Sequence, residues 1–187
     1  MQTSKVFLNI ILIFIILTII GWNFSNLNKL TEPIIVDKYQ PSYQIINSIT
    51  HIYDHSGKLV YKLITNKTYY FSDKKSSYFI KPVLTIYNTK SIPTWKITAD
   101  QAKLTDDNIL YLHGNVKINS LNKNSNLKYI LMKNSTINLT TQDVISNDRV
   151  IIIGNDFKTV SMKMHGNIKK QIAELNENVK TYYEIIH

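Results

Sequence analysis

The chain has 187 residues, enough for one folded domain and an appendage. Its 22 Lys+Arg against 13 Asp+Glu leave a formal charge of +9, nearly all of it lysine, since Arg149 is the sole arginine. There is no cysteine, which excludes a disulfide framework, thiolate metal sites and a thiol nucleophile. A basic surface suits nucleic acid, anionic lipid or a phosphorylated glycolipid. The skew toward Ile, Asn and Lys is also what A+T-rich coding produces, so charge alone does not choose among these.

Residues 6–22 read VFLNIILIFIILTIIGW, and no charge occurs between Lys5 and Lys29. At ~1.5 Å rise per residue, such a run spans most of a ~30 Å hydrocarbon core. Trp22 falls where an interfacial aromatic belongs. A cleaved signal peptide is the alternative, but only Gly21 and Ser25 are small near any cut, so an uncleaved anchor is favoured. Residues 1–5 are then a cytoplasmic N-terminus and 6–22 a transmembrane helix. Asn9 is a polar intruder, placed either to bond a neighbouring membrane helix or to sit near the headgroups. Residues 23–41 carry two prolines, scattered charges and no sustained period, and read as a linker to a domain over 42–187.

From Tyr43 onward the pattern is β. Residues 45–53 are rich in β-branched side chains, and Asp54-His55-Ser56-Gly57 is hairpin-turn chemistry. Leu59, Tyr61 and Leu63 then alternate around Lys62. After a polar patch at 72–77, the run 78–87 is interrupted by Pro82, which predicts an edge or bulged strand. The longest pattern covers 92–118, IPTWKITADQAKLTDDNILYLHGNVKI. In it Trp95, Ile97 and Ala99 alternate with Thr94, Lys96 and Thr98. Further on, Leu110, Leu112, Val116 and Ile118 oppose Tyr111, His113, Asn115 and Lys117. The spacing predicts two half-buried strands joined by the turn Thr105-Asp106-Asp107-Asn108. Gly114, inside the second, predicts a bulge or a close backbone approach.

Residues 119–127 are loop-like, 129–133 and 137–140 read as two short strands, and a turn follows near Gln142-Asp143. Residues 150–153 form an apolar run. Gly-Asn recurs at 114–115, 154–155 and 166–167, a weak repeat that predicts one hairpin unit reused. Residues 168–178 fit a short helix or a strand. The strand is preferred, because Val179, Thr181, Tyr183 and Ile185 then close the chain on one face. Many short strands with almost no helical period outside the anchor predict an all-β sandwich, jelly roll or barrel.

Candidate chemistry is sparse. His51 and His55 would suit a metal on a helix, but they fall on a strand end and in a turn. His113 and His165 end strands, and Asp106 and Asp107 diverge in a turn. No G-x-S-x-G, H-E-x-x-H or P-loop pattern occurs. The chain reads as a non-enzyme with neither metal nor cofactor. What remains is shape. Phe79, Trp95, Leu110, Leu112 and Tyr183 either line an apolar groove or fill a core, and composition favours the filled core. Unpaired edge strands would offer a template to other β-proteins.

The run PTWKITADQAKLTDDNILYLHGNVKINSL resembles the signature region of the LptC family, the bitopic component of lipopolysaccharide export. GKLVYKLIT, INLTTQDVISND and GNDFKTVSMKMHGNIKKQIAELNENVKTYYEI extend the resemblance over nearly the whole chain. It implies an all-β, open β-jelly roll of the OstA/LptA-like kind, in the periplasm, tethered to the inner membrane by a single N-terminal transmembrane helix. The implied partners are lipopolysaccharide, the LptB–LptF–LptG ABC transporter and the bridge protein LptA, with no nucleic acid and no cofactor. Lipid-lining positions carry over to Ser48, Phe79, Ala173 and Tyr183, beside the inward-facing Trp95, Leu110 and Leu112. The first strand, with Tyr43, Ile45, Ile46 and Ile49, would face the transporter. The last, with Lys180, Tyr182, Tyr183 and Ile185, would receive LptA. The alternative is a membrane-anchored β-scaffold that docks other jelly rolls without carrying lipid. Two departures stand out. His113 replaces a common aromatic, and Lys169 and Lys180 replace typical arginines, keeping charge but losing bidentate phosphate geometry.

Overall fold

The computed structural model describes residues 40–183. The transmembrane segment expected at 6–22 with Asn9, nearly all of the expected linker, and Ile185 lie outside the described residues. Among the described residues no helix is long and apolar enough to cross a membrane.

The strands are β1 (Tyr43–Tyr53), β2 (Leu59–Phe71), β3 (Ser76–Ile80), β4 (Val83–Tyr87), β5 (Pro93–Thr98), β6 (Gln101–Leu104) and β7 (Ile109–Ser120). They continue as β8 (Leu127–Asn138), β9 (Asp143–Ser146), β10 (Val150–Gly154), β11 (Phe157–Ser161), β12 (Lys163–Asn167), β13 (Ile172–Asn176) and β14 (Lys180–Tyr183). All pairings are antiparallel within one sheet.

The registers reduce this number. β3 and β4 both run antiparallel to β2, β3 opposite residues 67–71 and β4 opposite 61–64, so they are one ribbon broken at Lys81-Pro82. β5 and β6 relate to β7 in the same way, broken at Ala99-Asp100. β9 and β10 are a broken ribbon against β8. β11 with β12, and β13 with β14, repeat the arrangement. The described sheet is therefore a meander in chain order of four continuous ribbons (β1, β2, β7 and β8) and five broken ones. Its edges are the first and the last ribbon.

The breaks fall along one line across the strands, the seam, where the sheet folds so that its halves face each other. One half holds β4, β5, β10, β11 and β14. The other holds β3, β6, β9, β12 and β13, while the continuous ribbons run through both. Positive φ values cross the seam at Asn47 (53°), Lys81 (52°), Gly114 (73°), Asn115 (47°), Glu177 (64°) and Asn178 (52°). A left-handed residue inserted in a strand bends it and increases its twist. Backbone groups that lose ladder partners at such a bend need others. Lys81 N donates to Asp100 O at 2.9 Å, Asp100 N to Gly114 O at 2.8 Å, and Met162 N to Glu177 O at 3.0 Å. Side chains add to this: Lys81 Nζ meets Asp100 Oδ1 at 2.6 Å and Asn115 Nδ2 donates to Asp100 Oδ2 at 2.7 Å.

Gly114 meets both expectations at once. It opens a register shift in the β7–β8 pairing, and a Cβ there would come within 2.5 Å of Asp100 Oδ2. Other expectations need correction. Pro82 does not mark an edge, because β4 is paired on both sides; the proline sits at the seam, where the ladder is already interrupted and no N–H is missed. The alternation over 92–99 does not run on into residues 101–104 as one straight strand, since Asp100 breaks it. The two short strands at 129–133 and 137–140 are one strand, β8, whose polar Asn134 and Ser135 are used at the seam. The three Gly-Asn pairs are not one reused hairpin. The first lies inside β7, the second ends β10 at a tight turn, and the third lies at the end of β12. Residues 168–171 turn, and β13 follows as a strand.

The core lies between the halves. Ile97, Val116, Ile118, Ile137, Val144 and Met164 are all almost completely enclosed in it. Each such side chain contributes about 1.5–3 kcal/mol over leaving it in water.

Candidate functional site: an apolar interior between two sheet edges

The interior begins beneath β1. Ser48 is the half-buried residue of an otherwise exposed strand. Its hydroxyl lies 2.8 Å from that of Thr65 and 3.2 Å from that of Thr68, which are themselves 2.7 Å apart. Three hydroxyls thus satisfy one another where polar groups would otherwise be stranded indoors. Thr68 stands opposite Phe79, Phe79 opposite Ala102, and Ala102 opposite Leu112, a cross-strand row on the inner face. Phe79, Leu110 and Leu112 are 6%, 3% and 3% exposed and pack into the common core with Trp95.

Between the halves lies a cavity of about 130 Å³, walled by Trp95, Ile118, Ile130, Val144, Met164 and Ala173 among others. Its outer side is the rim, opposite the seam, where turns of the two halves meet. Two clefts open there. One, about 320 Å³, lies between residues 88–95, residues 120–125 and Gln171. The other, about 280 Å³, lies between residues 54–60 and 86–95 of one half and the turns at 140–142 and 168–171 of the other. Trp95 and Gln171 border the cavity and both clefts.

A clasp joins the two halves at the rim. Tyr61 Oη donates to Leu139 O at 2.7 Å, and Gln142 Nε2 donates to Tyr61 Oη at 3.1 Å. Ile168 N donates to Gln142 O at 2.9 Å, tying the two rim turns together. Burial pushes the Tyr61 phenol pKa up, partly offset by the Gln142 bond. It therefore stays a neutral donor.

The edges are exposed and apolar. On β1, Tyr43, Ile45, Ile46 and Ile49 are 45–60% exposed, and Tyr43 stacks on Tyr70 at 4.9 Å. β1 pairs with β2 alone, leaving its other side free among the described residues. At the far edge, Lys180, Tyr182 and Tyr183 are exposed on β14, which pairs with β11 alone.

The predicted residues thus fall into groups. Phe79, Trp95, Leu110 and Leu112 share one core, Ser48 adjoins it, and Ala173 faces the same cavity as Trp95. Tyr183 is not brought to the interior; it is 75% exposed and lies opposite Phe157 at the edge. Ile130 and Met164 were not singled out; Met164 alternates with Lys163 and His165, whereas Ile130 sits in an apolar run that hides its face. Tyr61, Gln142 and Gln171 were missed as well. Nothing local marks them, because their role depends on two turns meeting across the fold. His51 and His55 lie on β1 and in its turn, and among the described residues no three His, Cys, Asp or Glu cluster as metal ligands.

Fold and site together define an open antiparallel β-jelly roll with an apolar interior and two free edges. Comparison with known proteins narrows this. A family model described as "Lipopolysaccharide-assembly, LptC-related" matches residues 9–184. The lipopolysaccharide export system protein LptC of Escherichia coli K12 is 40% identical over 185 residues, covering 99% of this chain and 96% of that protein. Its Haemophilus influenzae counterpart is 32% identical over 197 residues, covering 95% and 94%. Among solved structures, LptH of Pseudomonas aeruginosa, described as the LptA homologous periplasmic component of the lipopolysaccharide transport device, matches with a TM-score of 0.56. That match has 10% identity and covers 67% of this chain and 95% of LptH. It is a likeness of fold. The chain belongs to the LptC family of lipopolysaccharide-assembly proteins. It is a component of lipopolysaccharide export and not an enzyme.

Proposed function

We propose that this domain is a lipid conduit in the periplasm, held to the inner membrane by the apolar segment at 6–22. It takes lipopolysaccharide from the LptB–LptF–LptG transporter at the β1 edge and passes it to LptA at the β14 edge. The carrying observation is that the first and last ribbons are the free edges of one sheet, with the apolar interior between them. Ser48 and Phe79 lie toward the first edge, and Ala173 and Tyr183 on the last ribbon. An exposed edge is a template for another jelly roll's strand. Acyl chains contribute ~0.8 kcal/mol per buried CH₂, so affinity needs no catalytic group.

One observation favours the scaffold reading. Phe79, Leu110 and Leu112 are tightly packed, and a cavity of about 130 Å³ is below the ~300–1,000 Å³ usual for ligand pockets. Carrying lipid therefore requires the halves to part, whereas docking through the edges alone does not. Photo-crosslinkers at Phe79 and Ala173 separate the two readings. With transporter and ATP present, the conduit captures lipopolysaccharide at one or both positions. No capture at either, with expression intact, would leave only the scaffold. Tyr183→Asp adds a second arm: blocked LptA docking alone fits a scaffold, while lost lipid capture with docking intact fits the conduit.

A further inference from the structure

The two halves differ on their outer faces, the sides turned away from the core. On the half that holds β4, β5, β10, β11 and β14, the registers draw two rows of side chains across the outer face from β1 to β14. One row runs from Ile49 through Ile64, Val83, Leu131 and Ile151 to Lys180, and crosses Lys117 on β7. Ile49 and Ile64 are exposed, and Val83, Leu131 and Ile151 are half-buried. The other row passes through Lys62, Thr85, Lys96, Tyr129, Lys158 and Tyr182. Neither row holds an Asp or a Glu. Lys117 Nζ lies 4.4 Å from the centre of the Tyr129 ring, and the ion pairs found among the described residues use Lys75, Lys81 and Lys163 instead. The other half is different. Its outer row from Tyr69 through Tyr78, Lys103, Tyr111 and Ile145 to Glu174 carries one formal charge of each sign.

We propose that the lysine-bearing face docks on the surface of an anionic phospholipid bilayer. Lys62 and Lys96 flank Thr85 from the two neighbouring strands, so their backbones stand about 10 Å apart. Like charges at that spacing repel, and with no carboxylate in the rows the compensating anion comes from outside. A bilayer answers both rows at once. Its phosphates meet the lysine ammoniums, while Ile49, Ile64 and the lysine stems meet the acyl boundary. Twist lifts the corners of the sheet from a plane, but the attraction still acts across about 8 Å at physiological salt. The expected linker at 23–41 reaches at most about 65 Å, so an anchor at 6–22 keeps the face within that distance of lipid. Ile49 and Tyr182 sit at the two ends of the rows, so docking also brings both free sheet edges to the lipid surface. This goes beyond the conduit reading and does not depend on it.

The chain has no cysteine, so one introduced thiol can be labelled alone. Thr85→Cys on this face and Thr136→Cys on the outer face of the other half each carry a fluorophore in the full-length chain. The chain is reconstituted in vesicles of phosphatidylcholine alone or mixed with phosphatidylglycerol, both containing a headgroup-quencher lipid. Quenching at position 85 rises severalfold on the mixed vesicles, falls back at high salt, and stays low at position 136 on both. Lys62→Gln with Lys96→Gln and Lys117→Gln lowers the docked-to-free ratio at least about tenfold, since each lysine at such a surface is worth about fivefold. Lys67→Gln with Lys103→Gln and Lys170→Gln, all outside this face, changes it little. Urea midpoints check that both triple variants fold, and Lys96→Gln alone, an exposed change, gives the fivefold step if they do not. No rise at position 85, an equal rise at position 136, or equal quenching on both vesicle types overturns the proposal and leaves the conduit reading standing. Retention on immobilised polyglutamate with no approach to vesicles assigns the face to an acidic protein and overturns it too. If the chain does not stay with neutral vesicles, the anchor expectation falls, and position 85 on mixed vesicles still decides.

Discussion

The seam and the rim are opposite sides of one folded sheet, and they are closed by different means. At the seam, adjacent ribbons are joined by backbone bonds of 2.8–3.0 Å, and Asp100 ties Lys81 to Asn115 across the bend. At the rim, the halves meet through the Tyr61 clasp and across clefts, while one backbone bond ties together the two turns of a single half. Backbone ladders give way only with large cooperative openings, whereas a few side-chain contacts between turns open locally. The fold is therefore hinged along one side and fastened along the other. Motion that changes the interior volume belongs to the rim.

Three substitutions put this contrast under strain, in descending order of effect. Gly114→Val places a β-branched residue at φ 73° and drives its Cβ toward Asp100. The expected loss is about 2–3 kcal/mol, read as a lower urea midpoint with unchanged slope. A loss near zero would show the seam to be slack.

Asp100→Asn keeps the shape but weakens the pair to Lys81, and the expected loss is about 1 kcal/mol at neutral pH. The hydrogen bond from Lys81, then that from Asn115, holds the Asp100 pKa below its ordinary value. Its stabilisation is therefore full above the ordinary carboxylate pKa and is lost as pH falls through the lowered one. Parent and variant should differ in urea midpoint above the ordinary carboxylate range and converge only as pH falls well below it. A gap that does not change with pH would remove the charge from the account.

Tyr61→Phe removes the clasp hydroxyl. Global stability falls by about 0.5–1 kcal/mol, since water reaches the freed Leu139 carbonyl. Hydrogen exchange at the Ile168 amide, bonded to Gln142 O, speeds up while exchange at the Asp100 amide does not. Equal acceleration at both would mean that seam and rim open as one unit.

Much of the fold was legible because period 2 is a local signal. Trp95, Ile97, Leu110, Leu112, Val116 and Ile118 were assigned inward from alternation alone, and all are buried. The turns at 54–57 and 105–108 were legible from Asp, Asn, Ser and Gly chemistry. The seam was not. It is a line across ribbons far apart in sequence, and each crossing looks locally like an isolated irregularity: Pro82, Asp100, Gly114, Asn134. Only the registers align them. The site was legible in the same uneven way. Edge strands and inward apolar residues follow from pattern and family resemblance. Trp95 bordering the cavity and both clefts does not, because Gln171 reaches it through a turn that closes some seventy residues later.

The chain-order meander has a consequence for how the domain is made and remade. Every ribbon pairs only with its predecessor and successor, so no loop threads between strands already joined. Loop-closure costs are paid in small steps, and the sheet assembles by zipping rather than by insertion. The last ribbon to zip is also the first free to unzip. Either edge can thus fray, exchange a neighbour and reseal while the ribbons between stay paired, which lets a terminal strand be replaced without unfolding its host.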